Sequence, residues 1–265
     1  MPILPWLTSA IPSNDRDWIL EYSKLPQVEW REEGKIFLRN IRNFRYNGTR
    51  DDYFPDWYDD EFNIKELNSV DVISSYWSGD AIAHLFLSFG FKDGRHLAIS
   101  IETRRSVNQQ YSTWRGFFKQ YMLTYVLADE RDLIGVRTDV RKERVYLYSV
   151  QISAEAVQAL FLNYLERIDN LSVQPEFYNT FNNNCTSNIL HHATAVSSNI
   201  KYSWKVLVSG YADKYIYDLG LFDNSVSFDE LKTKSLIKRP MGSLIDEEFS
   251  KSIRFNVSNS TDFKS

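Results

Sequence analysis

One cysteine and four histidines are all the thiol and imidazole chemistry that these 265 residues carry. A single thiol excludes an internal disulfide and a cysteine-built zinc cage; no metal and no cofactor is expected. No stretch approaches about 18 uninterrupted apolar residues, which excludes a membrane-spanning helix. The opening "MPILPWLTSAIP" has no basic start and is broken by prolines, so it reads as neither a secretion signal nor a span. Charge of one sign is also lacking: 31 Lys and Arg stand against 35 Asp and Glu, a net charge of −4. That balance offers no basic field for nucleic acid. Internal repeats, charge blocks and low-complexity linkers are missing too, so residues 1–265 are read as one domain. What is plentiful is aromatic: 16 Tyr, 17 Phe and 7 Trp, enough to build a sizeable core.

Local patterns predict an α+β fold, a mainly antiparallel sheet flanked by helices. "DRDWILEYSKLP" reads as a short helix capped by Asn14 or Asp15, "GKIFLRNIRNFRY" as a strand, and "YNGTRDDYFPDWYDDEF" as a polar and aromatic loop. Residues 81–91 and 95–104 form a hairpin about "KDG", with glycine where the turn needs it. Residues 143–152 alternate as a further strand. Ser153 caps a helix whose apolar residues recur at three and four, and "SWKVLVSGYADKYIYDLG" is a helix ending at Gly220. "ADERDLIGVRTDVRKER" reads as a solvated, charged edge. The core is expected at about 70–220, with an N-terminal extension over 1–69 and a C-terminal strap over 221–265.

The one cysteine stands in "NNNCTSNILHH", residues 182–192. Asparagine is among the best helix N-caps, so Asn183 or Asn184 places Cys185 in a first helical turn. There the partial positive charge of the helix and its free N–H groups favour thiolate and are suited to hold an oxyanion. The alternative is an inert buried thiol, the commonest state of a lone cysteine. A thiolate needs a base, and His84, inside the apolar "DAIAHLFLSF", is the best candidate. His96 lies beside a turn. His191 and His192 share the helix of Cys185, and His192 stands about 10 Å along it, too far for direct proton transfer. Ser100 and Glu102 are two apart and share a strand face, so either is placed to orient the imidazole. Glu102 has a competing use in a salt bridge to Arg104 or Arg105. Those two arginines, with Asn184, are candidates for substrate binding.

With these residues in view, "AHLFLSFGFKDGRHLAISIETRR", "GFFKQYMLTYVLADERDLIGVRT", "RVYLYSV" and "PEFYNTFNNNCTSNI" together resemble the Lnb N-terminal periplasmic domain family. The opening "NFRYNGTRDDYFPDWYDDEFNIKELNSVDVISSYWSG" and the closing "FSKSIR" fit the same pattern, so the resemblance spans nearly the whole chain. It implies a permuted papain-like (NlpC/P60-like) core, with the histidine strand before the cysteine helix. His84 precedes Cys185 by 185 − 84 = 101 residues, which fits that order. It further implies a periplasmic thiol acyltransferase. Cys185 would be the nucleophile, His84 the general base, and Glu102 or Ser100 the orienting group. The implied partners are a phospholipid acyl donor and a lipoprotein acceptor at a membrane surface. Full-length members carry membrane segments, and none is expected here. Two alternatives remain: a cysteine amidase or peptidase using water, and a non-catalytic binding domain with a sealed thiol.

Overall fold

The computed structural model describes residues 11–107, 109, 121–179, 183–196, 209–240 and 242–254. Its sheet strands are β1 (Gln27–Trp30), β2 (Lys35–Arg42), β3 (Arg45–Tyr46), β4 (Tyr53–Phe54), β5 (Trp57–Asn63), β6 (Leu67–Ser78), β7 (Ile82–Phe91), β8 (His96–Arg104), β9 (Met122–Asp129) and β10 (Arg144–Ser149). The main sheet runs β1-β2-β9-β8-β7-β6-β10, with β5 paired to β2 and β3 paired only to β4. Its pairings are antiparallel except at Arg42↔Ala128, where β2 meets β9 in parallel. The architecture is α+β, as expected.

Strand alternation gives the sheet two buried faces, and different residues cover each. On one face Val70 and Val72 of β6, Leu85, Leu87 and Phe89 of β7, and Leu97, Ile99 and Ile101 of β8 join a single large core. The opposite parity supplies Ile73, Phe86, Ala98 and Val126 to a second core. Helix α1 (Glu130–Leu133) and the π-helix Val136–Val140 lie on the second face. The first face is covered by α2 (Ala154–Val173), α3 (Cys185–Val196), α4 (Ala212–Asp218) and α5 (Phe228–Ser235). Ser153 accepts the amide of Ala156 at 3.3 Å and caps α2. Phe161 and Tyr164 of α2 pack their rings on Phe89 at 5.0 and 5.8 Å.

The hairpin of β7 and β8 turns at 92–95, with Gly94 at φ +90°, a conformation only glycine adopts without strain. Its ladder pairs Leu87↔Ile99 through Gly90↔His96. His84 and Glu102 stand at the same register sum, 84 + 102 = 87 + 99, beyond the last of those pairs.

Several local expectations give way to tertiary structure. Residues 15–26 hold only a 3-10 turn, Leu20–Tyr22, and Asn14 spends its amide on the carbonyls of Leu171 and Ser172. The aromatic loop contains β4 and β5, because its backbone pairs with β3 and β2 and most of its rings pack inward, Phe54 alone being largely exposed. Tyr53 stacks on Phe44 at 5.0 Å, Trp57 meets Phe44 edge-on at 4.8 Å, and Phe62 is buried. The helix expected over 203–220 is described from residue 209: a 3-10 turn, Ser209–Tyr211, then α4; residues 203–208 lie outside the described residues.

The charged segment 128–144 is the largest correction. Residues 128–140 are packed on the sheet, because their charges find buried partners, and only Arg141, Lys142 and Arg144 at the segment's end are exposed. Asp132 takes Arg42 bidentately at 2.8 and 2.9 Å, and Glu130 takes Arg254 at 2.6 and 2.8 Å. Arg254 follows α6 (Phe249–Ser252) and also grips Asp71 at 2.8 and 3.0 Å, fastening the C-terminal strap to β6. Phe249 and Ile253 are buried beside it.

Candidate active site

The segment leading to Cys185 is held by its own asparagines and by the edge of β9. Phe177 bridges Met122, and the Leu123 and Tyr178 amides bond the carbonyls of Glu176 and Tyr121. Asn179 and Asn183 exchange backbone hydrogen bonds of 3.1 and 2.9 Å; residues 180–182 lie outside the described residues. Asn183 donates to the Phe177 carbonyl at 2.9 Å and accepts from Asn188 at 2.8 Å. Asn184 is the cap of α3: its side-chain oxygen takes the Ser187 amide at 2.8 Å, while the Ser187 hydroxyl takes the Asn184 amide at 2.9 Å. This reciprocal pair is a capping box. It commits the side-chain oxygen of Asn184, a candidate for substrate binding, to the helix.

Cys185 is therefore the first residue of α3, where the helix field favours an anion. Its sulfur is buried against the first core, 3.7 Å from the Thr186 hydroxyl, and the His84 ring and the Leu85 amide stand near enough to favour its thiolate. His84 and its neighbours belong to the opposite sheet face. Nε2 of the ring lies 2.7 Å from Ser100 Oγ and 3.2 Å from Glu102 Oε1, and Ser100 Oγ donates to Glu102 Oε1 at 2.7 Å. Imidazole, hydroxyl and carboxylate thus form one chain of contacts, and the thiol lies beside its imidazole end.

Burial, the largest single influence on His84, opposes protonation of the ring. The Glu102 charge and the bonds to Cys185 and Glu102 outweigh it and push the ring's pKa up to about 9. Burial likewise raises the Cys185 thiol, but the imidazole bond and charge, the Leu85 amide and Thr186 bring it below its usual value. Glu102 is held well below the ordinary carboxylate range: burial works against ionisation, and His84, Arg137 and Ser100 overcome it. All three shifts favour thiolate facing imidazolium, with Glu102 ionised behind it.

Arg137 is the member of this cluster that local sequence reasoning missed. It sits on the π-helix, buried, with Nη2 3.2 Å from Glu102 Oε1 and Nη1 2.7 Å from the Leu133 carbonyl. It takes the place foreseen for Arg104 or Arg105 as the ionic partner of Glu102. Arg104 is turned into the N-terminal segment, where it donates to the Tyr22 carbonyl at 2.9 Å and Asn14 Oδ1 at 3.1 Å and lies 4.1 Å over Trp18. That corrects its assignment to substrate. Arg105 stays at the site, on the wall of a cleft of about 790 Å³ shared with His84, Glu102, Arg137, Trp77 and Tyr178. The only signal for Arg137 was an arginine two places past a glycine in a charged run, which does not separate a buried ion from a solvated one.

The other histidines do other work. His192 is buried between Asn163 Oδ1 at 2.6 Å and the Tyr125 hydroxyl at 2.7 Å, stacked on Tyr164 at 3.9 Å. Burial, reinforced by His191 and Arg167, drives its pKa down to about 3. His191 is exposed, and His96 is half-buried with Nδ1 3.1 Å from the Gly94 carbonyl.

The family described as the Lnb N-terminal periplasmic domain matches residues 53–210, a span that includes His84, Ser100, Glu102, Arg137 and Cys185. No curated protein and no solved structure matches the chain. Among the described residues no helix is long and apolar enough to cross a membrane, and no group of three or more His, Cys, Asp and Glu is placed to hold a metal ion.

Proposed function

The chain belongs to the Lnb N-terminal periplasmic domain family, and from that premise we propose that it is a thiol acyltransferase with a permuted papain-like catalytic centre. The observation that carries the reading is the placement of Cys185, first in its helix, beside the contact chain of His84, Ser100 and Glu102. The thiolate attacks the ester carbonyl of a phospholipid, forming a C–S bond. As the C–O bond breaks, the leaving alkoxide takes the proton from His84, so the lysophospholipid departs neutral at that oxygen. An amine, such as a lipoprotein N-terminus, then attacks the thioester. His84 accepts the amine's proton as the thiolate leaves, and the amide is the product. The covalent intermediate divides one difficult transfer into two easier ones. Free N–H groups at the start of α3 suit the oxyanion of each tetrahedral intermediate.

A second reading has one observation in its favour. The cleft beside His84 is walled by Arg137, Arg105 and Glu102, a polar setting suited to amide hydrolysis with water as the acceptor. The two readings part on the acceptor. Incubation with phospholipid vesicles, followed by intact mass measurement, is expected to give an acyl adduct that Cys185→Ser abolishes or converts to a stable ester. Addition of a lipopeptide amine should discharge the adduct faster than water does. Absence of an adduct under turnover-blocked conditions would remove the acyltransferase reading.

A further inference from the structure

A second cavity, apart from the polar cleft, is lined by Thr186 beside the thiol, and we infer that it receives the acyl chain carried on Cys185. The inference rests on the acyl-enzyme reading above and names the part of the fold that selects chain length. The cavity measures about 130 Å³ and sits between strands β6 and β7 and helices α2, α3 and α4. Its walls are aliphatic: Val72, Leu87, Leu160, Ile189 and Ile216 close it, and Ala193 leaves it open where a larger side chain would fill it.

Two of its wall residues also stand at the nucleophile. Thr186 lines the cavity and holds its hydroxyl 3.7 Å from the sulfur. Leu85 lines it as well, and its amide favours the thiolate of Cys185. A chain leaving the thioester carbon therefore has two directions. In the cleft it would strip water from His84, Glu102 and Arg137 and offer them nothing in return. In the cavity each methylene leaves water for an aliphatic wall. Close-packed cores rarely keep such a gap, and apolar gaps that persist stay dry and accept apolar guests.

The probes are the p-nitrophenyl esters of butyrate, octanoate and palmitate, read by p-nitrophenolate release and by intact mass on the full chain. Two variants move the cavity in opposite directions: Ala193→Leu fills it and Ile189→Ala enlarges it. The expected result is a fall of about tenfold in the octanoyl-to-butyryl ratio for Ala193→Leu, the size of discrimination that a few methylenes give in an apolar pocket. Ile189→Ala should shift the preference toward palmitoyl, and it carries the test alone if Ala193→Leu does not fold. Adducts on Cys185 with an unaltered length profile in the folded variants would overturn this inference and leave the acyl-enzyme reading standing. No adduct with any ester would overturn both.

Discussion

Cys185 and His84 reach one point from opposite faces of the sheet. The thiol belongs to the core beneath α2 and α3, while the imidazole stands beside Phe86, 5.7 Å between ring centres, on the other face. They meet where β7 and β8 no longer pair, past Leu87↔Ile99, so that the Leu85 amide is available to the sulfur. The open end of a ladder is what lets a helix on one face deliver a nucleophile to a base on the other.

This arrangement predicts a reactive thiol. Alkylation of Cys185 by iodoacetamide should follow an apparent pKa below that of a free cysteine, about 8.5, because imidazole, the Leu85 amide and Thr186 all favour thiolate. His84→Ala should raise that apparent pKa and slow alkylation at neutral pH. An unaltered profile in the variant would separate the two residues chemically.

Glu102 and Ser100 should differ in weight. Glu102→Gln removes the charge that opposes Arg137 and stabilises imidazolium, and turnover is expected to fall by about 10²–10⁴-fold, the range for losing a positioned acid–base partner. Ser100→Ala breaks a 2.7 Å bridge but leaves Glu102 Oε1 3.2 Å from the ring, so its loss should be smaller. Steady-state rates on an ester substrate decide, and the reverse order would make Ser100 the orienting group.

The pH window of the dyad follows from the same contacts. The folded-state pKa of His84 is raised, so its contribution to stability is present below the unfolded value of about 6.5 and lost as pH rises through about 9. Thermal melts between pH 6 and 10 should show this alkaline loss in the wild type and a flatter curve in Glu102→Gln.

His192 has the opposite sign. Its folded pKa lies near 3, so it favours the fold above the unfolded value of about 6.5 and stops doing so as pH falls. His192→Asn should remove about one proton from the acid limb of the stability curve, a slope of about 1.4 kcal/mol per pH unit. It should leave the alkylation profile of Cys185 as it is, since His192 bonds Asn163 and Tyr125 instead of the thiol.

Arg254 should prove costly to replace. Arg254→Met strands Glu130 and Asp71 without their shared cation, a loss of about 3–5 kcal/mol by analogy with broken buried pairs. Glu130 is held near 2 in the fold, with burial opposing and Arg254 prevailing, so its contribution is present above the unfolded carboxylate value and lost as pH falls through about 2. The gap between wild type and variant in urea melts should be wide at pH 7 and narrow as the stranded carboxylates take up protons.

What could be read locally was read from short-range physics. An asparagine before Cys185 implies a cap because the cap bond spans only three residues, and Asn184 to Ser187 is that bond. The shared face of Ser100 and Glu102 follows from a period of two, and the β7–β8 hairpin from glycine in its turn. The resemblance of quoted stretches reached the family by the same kind of local match. Nothing local could show that residues 101 positions apart would touch, since that depends on where a ladder ends and which face a helix covers. Nor could it tell Arg137 from Arg104. Both are arginines in charged surroundings, and only the packing of a π-helix against β8, with Arg104 drawn instead to Asn14 and Tyr22, decides which one meets Glu102. Charge partners are chosen by tertiary distance, because a guanidinium reaches any carboxylate that folding brings beside it and the chain's order does not limit the choice.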